Sequence, residues 1–289
     1  EEVNVNILAK NAQLSISNKK IDLAKIKNYN INVEIIPRAE NLITIYHKRK
    51  IPITVSRFIP LSSKLVELLF LIHGDGHYKH KFHFTNKSPE LHKFVIDEFE
   101  NIFRLPKNSW RARVLLHDFD HEEYARKYWK ESLDLDNSQF YTTSKTILKT
   151  DSRGNLRILI DKTLFSLIFR FVFDEVKNMI NKLIALDALN GLLCAEGGAQ
   201  VSKKGLHKIT LSFNEQEKEL FKTILRKANI LSLCKEEQNR MFVIQGWRKL
   251  YKFFKIFAFN NKIPFRIHNE RRKRAFEGFL NHSFTKTMI

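Results

Sequence analysis

One pattern of elements occurs twice in this chain, and the repeat limits what the chain can fold into. A leucine-rich helix ends in Gly74-Asp75-Gly76, and a second such helix ends in Glu196-Gly197-Gly198. Each is followed by a strand that alternates apolar and polar residues and then by an amphipathic helix. The two acids are 121 positions apart (196 − 75), a domain-sized offset. The sequence therefore predicts an α+β chain made of two similar halves.

The two helix ends agree position by position. Residues 68–76 (LLFLIHGDG) align with residues 189–197 (LNGLLCAEG), sharing Leu at positions one and four, a small residue at seven, an acid at eight and Gly at nine. Gly74 and Ala195 would let two such helices pack closely, leaving Asp75 and Glu196 just beyond the contact. Nearby carboxylates repel each other unless cations bind between them. Hard oxygen ligands suit Mg²⁺, which accepts phosphate oxygens and can activate water for phosphodiester hydrolysis.

The charge balance agrees with a polyanionic partner. The chain has 50 Lys and Arg against 31 Asp and Glu, a net charge of +19. This excess favours nucleic acid, although charge alone does not separate DNA from RNA or from an anionic membrane. No apolar run approaches the roughly 20 residues that span a bilayer. With only Cys194 and Cys234 and no secretory signal, we expect reduced cysteines in a trimmed intracellular chain.

These features together resemble the LAGLIDADG homing endonucleases, specifically the single-chain members with two motifs. The resemblance rests on the two nine-residue segments and on the strand and helix after each, and it covers roughly residues 58–260. It implies two αββαββα halves related by a pseudo-twofold axis, whose antiparallel sheets form a saddle over DNA. It also implies that Asp75 and Glu196 hold divalent metal, helped by the backbone carbonyls of Gly74 and Ala195.

The resemblance further implies a reaction and a setting. A monomer would hydrolyse both strands of a long, specific DNA duplex with Mg²⁺. Mn²⁺ would substitute, and Ca²⁺ would bind without supporting cleavage. The activity would drive mobility of an intron or a similar element, in the cytoplasm or an organelle of the element's host.

Family members also place a basic residue near each scissile phosphate. In the first half Phe84-Thr85-Asn86-Lys87 resembles the strand end that carries it, so Lys87 is the candidate. The second half departs from this pattern, because its segment aligned in the same way, residues 213–216 (FNEQ), has no basic residue. Lys203, Lys204 or the polar Gln200 could substitute.

Outward strand faces are predicted to contact DNA, because a two-stranded ribbon fits the major groove. In residues 77–86 Phe82 and Phe84 share one face, and the polar residues share the other. The alternative is a solvated sheet face without a ligand. The expected DNA contacts are Lys79, Lys81, His83 and Thr85 in the first half, Lys203, Lys208, Thr210 and Ser212 in the second, and Arg111, Arg113, Lys145, Arg153 and Arg157.

The pattern also divides the chain. A β-rich extension over 1–57 precedes the halves 58–180 and 181–264, and a basic tail follows over 265–289. The first half has an additional helix at Glu122–Leu133. Further strands are predicted near Trp110–Leu116, Gln139–Leu148, Leu156–Ile160, Leu231–Lys235 and Arg240–Gln245.

Two alternatives stay open at this point. The same scaffold could be a non-cleaving binder, either an RNA maturase that helps an intron splice or a DNA-binding regulator. The two acids could also be ordinary helix-terminal residues beside glycine turns. A zinc site built from His73, His77, His80 and His83 is disfavoured, because strand alternation would separate His80 from the others.

Overall fold

The computed structural model describes residues 19–30, 32–147, 149–202, 205–262 and 264. The basic tail over 265–289 and the predicted contact Lys203 therefore lie outside the described residues. Within the described residues the chain is an α+β protein with eight α-helices and four sheets. No helix in this part is both long and apolar enough to cross a membrane.

The N-terminal extension is β-rich, as its short β-branched runs predict. Its strands form two small sheets, with order β1-β5 and β2-β3-β4, and β5 lies just past the predicted boundary at residue 57. Its elements are β1 (Lys20–Asp22), α1 (Ile26–Tyr29), β2 (Val33–Pro37), β3 (Leu42–His47), β4 (Ile53–Ser56) and β5 (Phe58–Pro60).

The two repeats follow in the predicted order. The elements of the first are α2 (Ser63–Asp75), β6 (Gly76–His77), β7 (Phe82–Asn86), α3 (Pro89–Phe103), β8 (Trp110–Leu116), α4 (Glu122–Leu133), β9 (Phe140–Lys145), β10 (Asn155–Ile160) and α5 (Thr163–Asn178). Those of the second are α6 (Lys182–Glu196), β11 (Gly197–Ser202), β12 (Gly205–Ser212), α7 (Lys218–Lys227), β13 (Lys235–Glu237), β14 (Met241–Gln245) and α8 (Trp247–Phe259).

Strand order confirms that the halves share one plan. The first sheet has the order β6-β7-β10-β8-β9 and the second β11-β12-β14-β13. If β9 and the additional helix α4 are left out, the two strand orders are equivalent, and both halves have the element order αββαββα. The expectation of an entirely antiparallel first sheet is wrong, because β9 is a fifth strand that runs parallel to β8. Parallel neighbours need a crossover, and the additional helix α4 provides it.

Helix starts are set by side chains that the sequence identifies. The hydroxyl of Ser62 accepts the N–H of Leu65 (3.1 Å) at the start of α2. Ser88 caps α3, and Pro89 occupies its first turn, where a missing N–H costs nothing. These caps satisfy backbone donors that have no partner within the helix.

Two predicted strands are wrong in part. Residues 78–81 are a loop, because β6 and β7 pair antiparallel and the chain must reverse between them. Lys79 and Lys81 lie in this loop and not on a strand. The strand predicted over Leu231–Lys235 is mostly a 3₁₀ turn whose Leu233 is buried, and only Lys235 enters β13.

Contacts divide the chain into two compact units. The first-sheet unit comprises the described residues of 18–61 together with 75–177. The second-sheet unit comprises 62–74 and the described residues from 178 onward. Helix α2 therefore belongs to the second-sheet unit, although it precedes the first sheet in the chain.

The core of the first-sheet unit is a cluster of aromatic rings. Phe82 contacts Phe99, Phe165 and Phe169 with ring centroids 5.1 to 5.3 Å apart. These four rings are fully buried. Such rings prefer tilted and edge-on contacts, which stabilise the cluster beyond the burial of apolar area. The strand periodicity of Phe82 and Phe84 thus correctly predicts the inward face.

A buried histidine joins α3 to the first sheet. The Nδ1 of His92 lies 2.9 Å from the carbonyl oxygen of Ser88, and its Nε2 lies 3.0 Å from that of Leu156. Burial lowers the pKa of His92 to about 4, more than these two carbonyls raise it. His92 is therefore neutral at physiological pH.

The second-sheet unit is built on the close approach of α2 and α6. A Cβ atom at Gly74 would lie 2.5 Å from the Cβ of Ala195. A Cβ at Gly191 would clash with the backbone oxygen of Glu67 and lie 2.9 Å from the backbone nitrogen of Leu71. Both glycines therefore sit where a side chain would separate the helices.

Buried polar contacts fix the register of α2 against α6. Asn190 Nδ2 donates to Glu67 Oε1 (3.1 Å), and both side chains are buried. At the other end of the pair, Lys262 contacts the carboxylate of Asp187 and donates to the hydroxyl of Ser63 (3.1 Å). A slip of one helix along the other would leave these groups buried without these partners, which costs free energy.

Exchanging the two small residues at the crossing tests this packing. We expect Gly74→Ala to lower the free energy of unfolding by about 1–3 kcal/mol, because its Cβ would overlap that of Ala195. Adding Ala195→Gly removes the opposing atom and should restore most of that loss. Urea unfolding of the two single variants and the double variant measures the coupling. Losses that simply add in the double variant would contradict direct contact at this position.

Acid should destabilise the protein through His92. Its pKa falls from 6.5 to about 4 on folding, so its contribution is complete above pH 6.5 and is lost as the pH falls through 4. The expected loss is up to about 3 kcal/mol. Urea unfolding at pH 7 and 4.5 measures it, with His92→Gln as the matched variant. An equal pH dependence in both proteins would show that His92 is not the source.

Candidate nucleic-acid interface

Each helix that carries a motif ends in its acid, and a glycine starts the next strand. Asp75 ends α2, and Glu196 ends α6. Gly197 donates its N–H to the carbonyl oxygen of Leu193, and a Cβ at Gly197 would clash with that same oxygen. Glycine is thus required for the sharp turn from α6 into β11. The motif's last residue has a steric role, and the preceding acid is left at the turn.

Glu196 lies beside the small residues of the helix crossing. A Cβ at Gly74 would stand 3.2 Å from the Cγ of Glu196, so this side chain covers the glycine. Gly74 is the residue before Asp75 in the chain. The packing expected from the small residues is therefore present within the second-sheet unit.

Asp75 is oriented by a residue that the sequence analysis missed. Asn86, at the end of β7, donates from Nδ2 to Asp75 Oδ2 (2.7 Å). Its Oδ1 accepts the N–H of Ser88 (2.9 Å), which ties it to the cap of α3. The amide therefore presents its N–H to the acid in a fixed direction. The sequence feature that could have identified Asn86 is its position directly before Lys87, at the end of the strand that was expected to carry the basic residue.

Lys87 is exposed in the turn between β7 and α3. The pKa of the nearby Asp151 lies below its usual range, chiefly because Arg153 donates to it and to a smaller extent because of the charge of Lys87. Arg153 holds Asp151 with two nitrogens, at 2.6 and 3.2 Å. Of these two predicted cations, Arg153 is therefore engaged with an acid, and Lys87 extends into solvent.

Strand pairing corrects the alignment of the two halves. Gly76 lies opposite Phe84 in the first sheet, and Gly197 lies opposite Leu211 in the second. Phe84 therefore corresponds to Leu211 and not to Phe213. The sequence alignment of the second half was shifted by two residues. Such a shift is hard to detect from sequence, because either alignment keeps an apolar residue on the inward face.

The corrected register changes which residues stand at the second acid. Phe213 corresponds to Asn86, and Asn214 corresponds to Lys87. Asn214 and Glu217 close the turn before α7, since each side chain accepts the other's backbone N–H (3.0 and 3.2 Å). The second half therefore has neither the orienting amide nor the basic residue at these positions.

The outward face of the first sheet brings together three of the predicted arginines. It lines an open cleft of about 850 Å³ whose walls include Lys81 and Tyr141. Two rows of neighbouring side chains cross this face, with His77, His83, Leu159 and Arg111 in one row and Thr85, Arg157 and Arg113 in the next. The arginines of this face come from two strands, β8 and β10, and Lys81 adds a positive charge from the loop before β7.

The histidines of this cleft are close together. The rings of His77 and His83 stack with centroids 5.1 Å apart, and His80 lies 6.4 Å from His77. The expectation that strand alternation separates His80 is wrong, because His80 lies in the turn. Burial first, and then the charges of Arg157 and His77, lower the pKa of His83 to about 4. The described residues contain no group of three or more His, Cys, Asp or Glu side chains placed to hold a metal ion.

The remaining first-half cations differ in their partners. Arg111 donates to the carbonyl oxygen of Ser138 (2.8 Å) and faces Asp161 at 3.8 Å. Lys145 is exposed at the end of β9, the additional edge strand. Arg111 is therefore partly neutralised, whereas Lys145 can reach a ligand along the sheet edge.

The outward face of the second sheet is less basic. Lys208 lies opposite Gln200 and Gln245, and its ammonium pairs with Glu237 at 3.2 Å. Thr210 packs directly on Gly198, whose missing side chain makes room for it. Ser212, the last predicted contact on this strand, is half-buried at the end of β12. The two sheets thus offer different surfaces to any ligand.

No protein-family model and no curated protein matches this chain. Solved structures with some similarity include I-DmoI in complex with DNA and Mn (TM-score 0.34, 17% identity, 72% of this chain and 98% of that one). The N-terminal LAGLIDADG domain of WhiA has a TM-score of 0.32 and 12% identity, over 73% of this chain and 86% of that one. Full-length WhiA from Thermatoga maritima has a TM-score of 0.33 and 12% identity, over 76% and 60%. These TM-scores are too low to assign this chain to either protein's family, so its function has to be argued from its own residues.

The electrostatic effect of Arg157 inside the cleft can be measured through the pKa of His83. We expect Arg157→Gln to raise the pKa of His83 from about 4, because a repelling charge is lost. The pKa should stay below 6.5, since burial is the largest cause of the shift and persists. NMR titration of the imidazole protons measures the change, with Arg153→Gln as the control. An unchanged pKa in Arg157→Gln would show that this guanidinium does not act on His83.

Proposed function

We propose that this chain is a site-specific endonuclease of double-stranded DNA that depends on divalent metal, with 58–180 and 181–264 as its two halves. One observation carries the proposal: α2 and α6 pack through Gly74 and Ala195, and each ends in an acid followed by a glycine-led strand. Close packing of helices explains the small residues but not the acids. A role for Asp75 and Glu196 in chemistry explains why an acid follows the small residue at the end of both helices.

The donor groups at the helix ends fit a hard cation. Asp75 and Glu196 supply carboxylate oxygens, and the last carbonyls of a helix have no partner within it. Mg²⁺ prefers oxygen ligands, keeps several waters and accepts phosphate oxygens. With no cluster of three or more ligating side chains among the described residues, a bound metal would complete its coordination from carbonyls, water and DNA. Gly74 and Ala195 would supply those carbonyls.

The residues of the first acidic turn have separable roles in this proposal. Asp75 holds the cation, and Asn86 fixes the direction of its carboxylate through the 2.7 Å hydrogen bond. Lys87 offsets the negative charge of the phosphate that is cut. Bound Mg²⁺ would supply a more acidic water and stabilise the charge that develops on the phosphate. Mn²⁺ is expected to substitute, and Ca²⁺ to bind without cleavage.

The outward sheet faces would hold the duplex. The first-sheet cleft contributes His83, Arg113 and Arg157, and the second sheet contributes Lys208 and Thr210. Lys79 and Lys81 would act from the loop after β6, where phosphates are a more natural target than bases. The affinity should fall steeply with salt, with a log–log slope of about −0.9 per phosphate neutralised. The proposed substrate is a long duplex bound by a monomer.

The second half leaves one role open. Phe213 and Asn214 stand where the first half has Asn86 and Lys87. Lys203, Lys204 or the polar Gln200 is the proposed substitute for the basic residue in this half. Mobility of an intron or a similar element, in the cytoplasm or an organelle of its host, is the biological role that we propose.

A second candidate function rests on the same difference between the halves. With Phe213 and Asn214 at the second acid, the chain could bind nucleic acid without cutting it, as an RNA maturase or a DNA-binding regulator. Both acids are present, which favours cleavage. The two functions differ in a single measurable property, turnover in Mg²⁺.

Cleavage of a randomised duplex library tests the proposal. We expect discrete cuts in Mg²⁺, none in EDTA, and selective binding without cuts in Ca²⁺. Asp75→Asn and Glu196→Gln should each lower the cleavage rate by about 100-fold or more, because metal chemistry contributes several kcal/mol. Asn86→Ala should lower it less, since it removes orientation and leaves the carboxylate.

Binding separates loss of chemistry from loss of folding. Each acid variant should keep the wild-type affinity for the selected duplex in Ca²⁺ within a few-fold. Selective binding by the wild type with no cuts in Mg²⁺ or Mn²⁺ would overturn the endonuclease in favour of the binder. Cleavage that persists in both acid variants would overturn the roles of Asp75 and Glu196.

A further inference from the structure

Two arginines face each other across the centre of the first sheet. Arg157 on β10 lies directly opposite Arg113 on β8 in the antiparallel register. Side chains in such pairs are about 5 Å apart at Cβ, and like charges at this spacing destabilise a sheet. A strand pair with this arrangement is stabilised when a ligand supplies the missing negative groups.

Each guanidinium is held by one uncharged partner. Arg157 donates from Nε to the hydroxyl of Thr85 (3.0 Å), which leaves its two terminal nitrogens directed elsewhere. Arg113 stacks on the ring of Tyr141, with Cζ 4.6 Å from the ring centroid. Stacking fixes the plane of a guanidinium and keeps its edge available for hydrogen bonds. Both arginines are therefore oriented before any ligand arrives.

The pair is not neutralised within the described residues. Neither Arg113 nor Arg157 has an ion pair there, and the Nε of Arg113 is buried with no hydrogen-bond partner. The cleft's acid, Asp161, faces Arg111 at 3.8 Å. Burial is the largest cause of the lowered pKa of His83, and the charge of Arg157 is the next, so this charge acts on its neighbour in the cleft. A buried donor without a partner is itself unfavourable, which adds to the repulsion.

We propose that Arg113 and Arg157 are the specificity-determining residues of the first sheet, each reading one guanine in the major groove of the bound duplex. This inference rests on the proposed function, since it takes duplex DNA as the ligand. A guanidinium matches the O6 and N7 acceptors of guanine with two parallel hydrogen bonds. Both acceptors carry partial negative charge, which relieves the repulsion between the arginines.

The other cations near this face lack these properties. Arg111 donates to the carbonyl oxygen of Ser138 and faces Asp161, and Arg153 donates from two nitrogens to one oxygen of Asp151. Hydrogen bonds already made to protein carbonyls or carboxylates would have to break before these side chains read a base. We assign them to positioning the duplex or the sheet, so they contribute affinity without choosing a sequence.

Selection of bound duplexes in Ca²⁺ tests this assignment without requiring cleavage. Wild-type protein should select guanine at two or more positions under the first sheet. Arg113→Gln and Arg157→Gln should each replace one of these guanines by adenine, because a Gln amide matches adenine N6 and N7. The preference for guanine at that position should fall by about tenfold or more. Arg111→Gln is the matched control and should weaken binding to all sequences alike.

Lysine variants guard against a trivial loss of structure. Arg113→Lys and Arg157→Lys keep the charge but lose the planar edge, so affinity should change little. Discrimination between guanine and adenine should drop by less than in the Gln variants, because an ammonium still donates to guanine O6 and N7. Unchanged base preference in both Gln variants, or a wild-type consensus without guanine, would overturn the inference. So would a wild-type protein that selects no sequence.

The selection also separates this inference from the proposed function. Guanine selection that Gln substitution switches, in a protein that never cuts DNA, supports the readers and overturns only the endonuclease. Cleavage at a site whose base preferences do not respond to either substitution supports the endonuclease and overturns the assignment of Arg113 and Arg157.

Discussion

The structure depends on how closely α2 and α6 approach each other. Gly74 and Gly191 have no side chains, so Ala195 and the backbone of α2 can occupy the space that a Cβ would need. The buried contact between Glu67 and Asn190 fixes the position of one helix along the other. Each of the two helices ends in an acid directly after the small residue of the crossing. The small residues of the motif are thus a packing requirement.

The basic side chains of the two sheets differ in their partners. On the first, Arg113 and Arg157 oppose each other with only Thr85 and Tyr141 to hold them. On the second, Lys208 is paired with an acid of the same sheet. The first sheet therefore has the greater capacity to bind an anion, and the second is closer to electrostatic balance without one.

Much of the fold was predictable because it follows from periodicity. The helices, their caps at Ser62 and Ser88, and the inward positions of Phe82 and Phe84 all come from local patterns. The parallel pairing of β9 was not predictable, since strand direction depends on contacts distant in sequence. Repetition identifies the two acids at the helix ends, and their role stays a prediction. Asn86 was missed because a side-chain hydrogen bond has no periodicity. The two-residue displacement at Lys87 arose because a shift by two keeps every residue on its own face.

Helix α2 has a further consequence for how such a chain can be divided. It precedes the first sheet in sequence, yet it packs with the second-sheet unit, and its residues from Leu65 to Ile72 are buried. A fragment that ends near residue 180 would carry this helix away from α6 and expose its leucines to water. Such a fragment would be driven to pair with another copy of itself through that surface. The single polypeptide thus contains, as an internal contact, what would otherwise be a subunit interface.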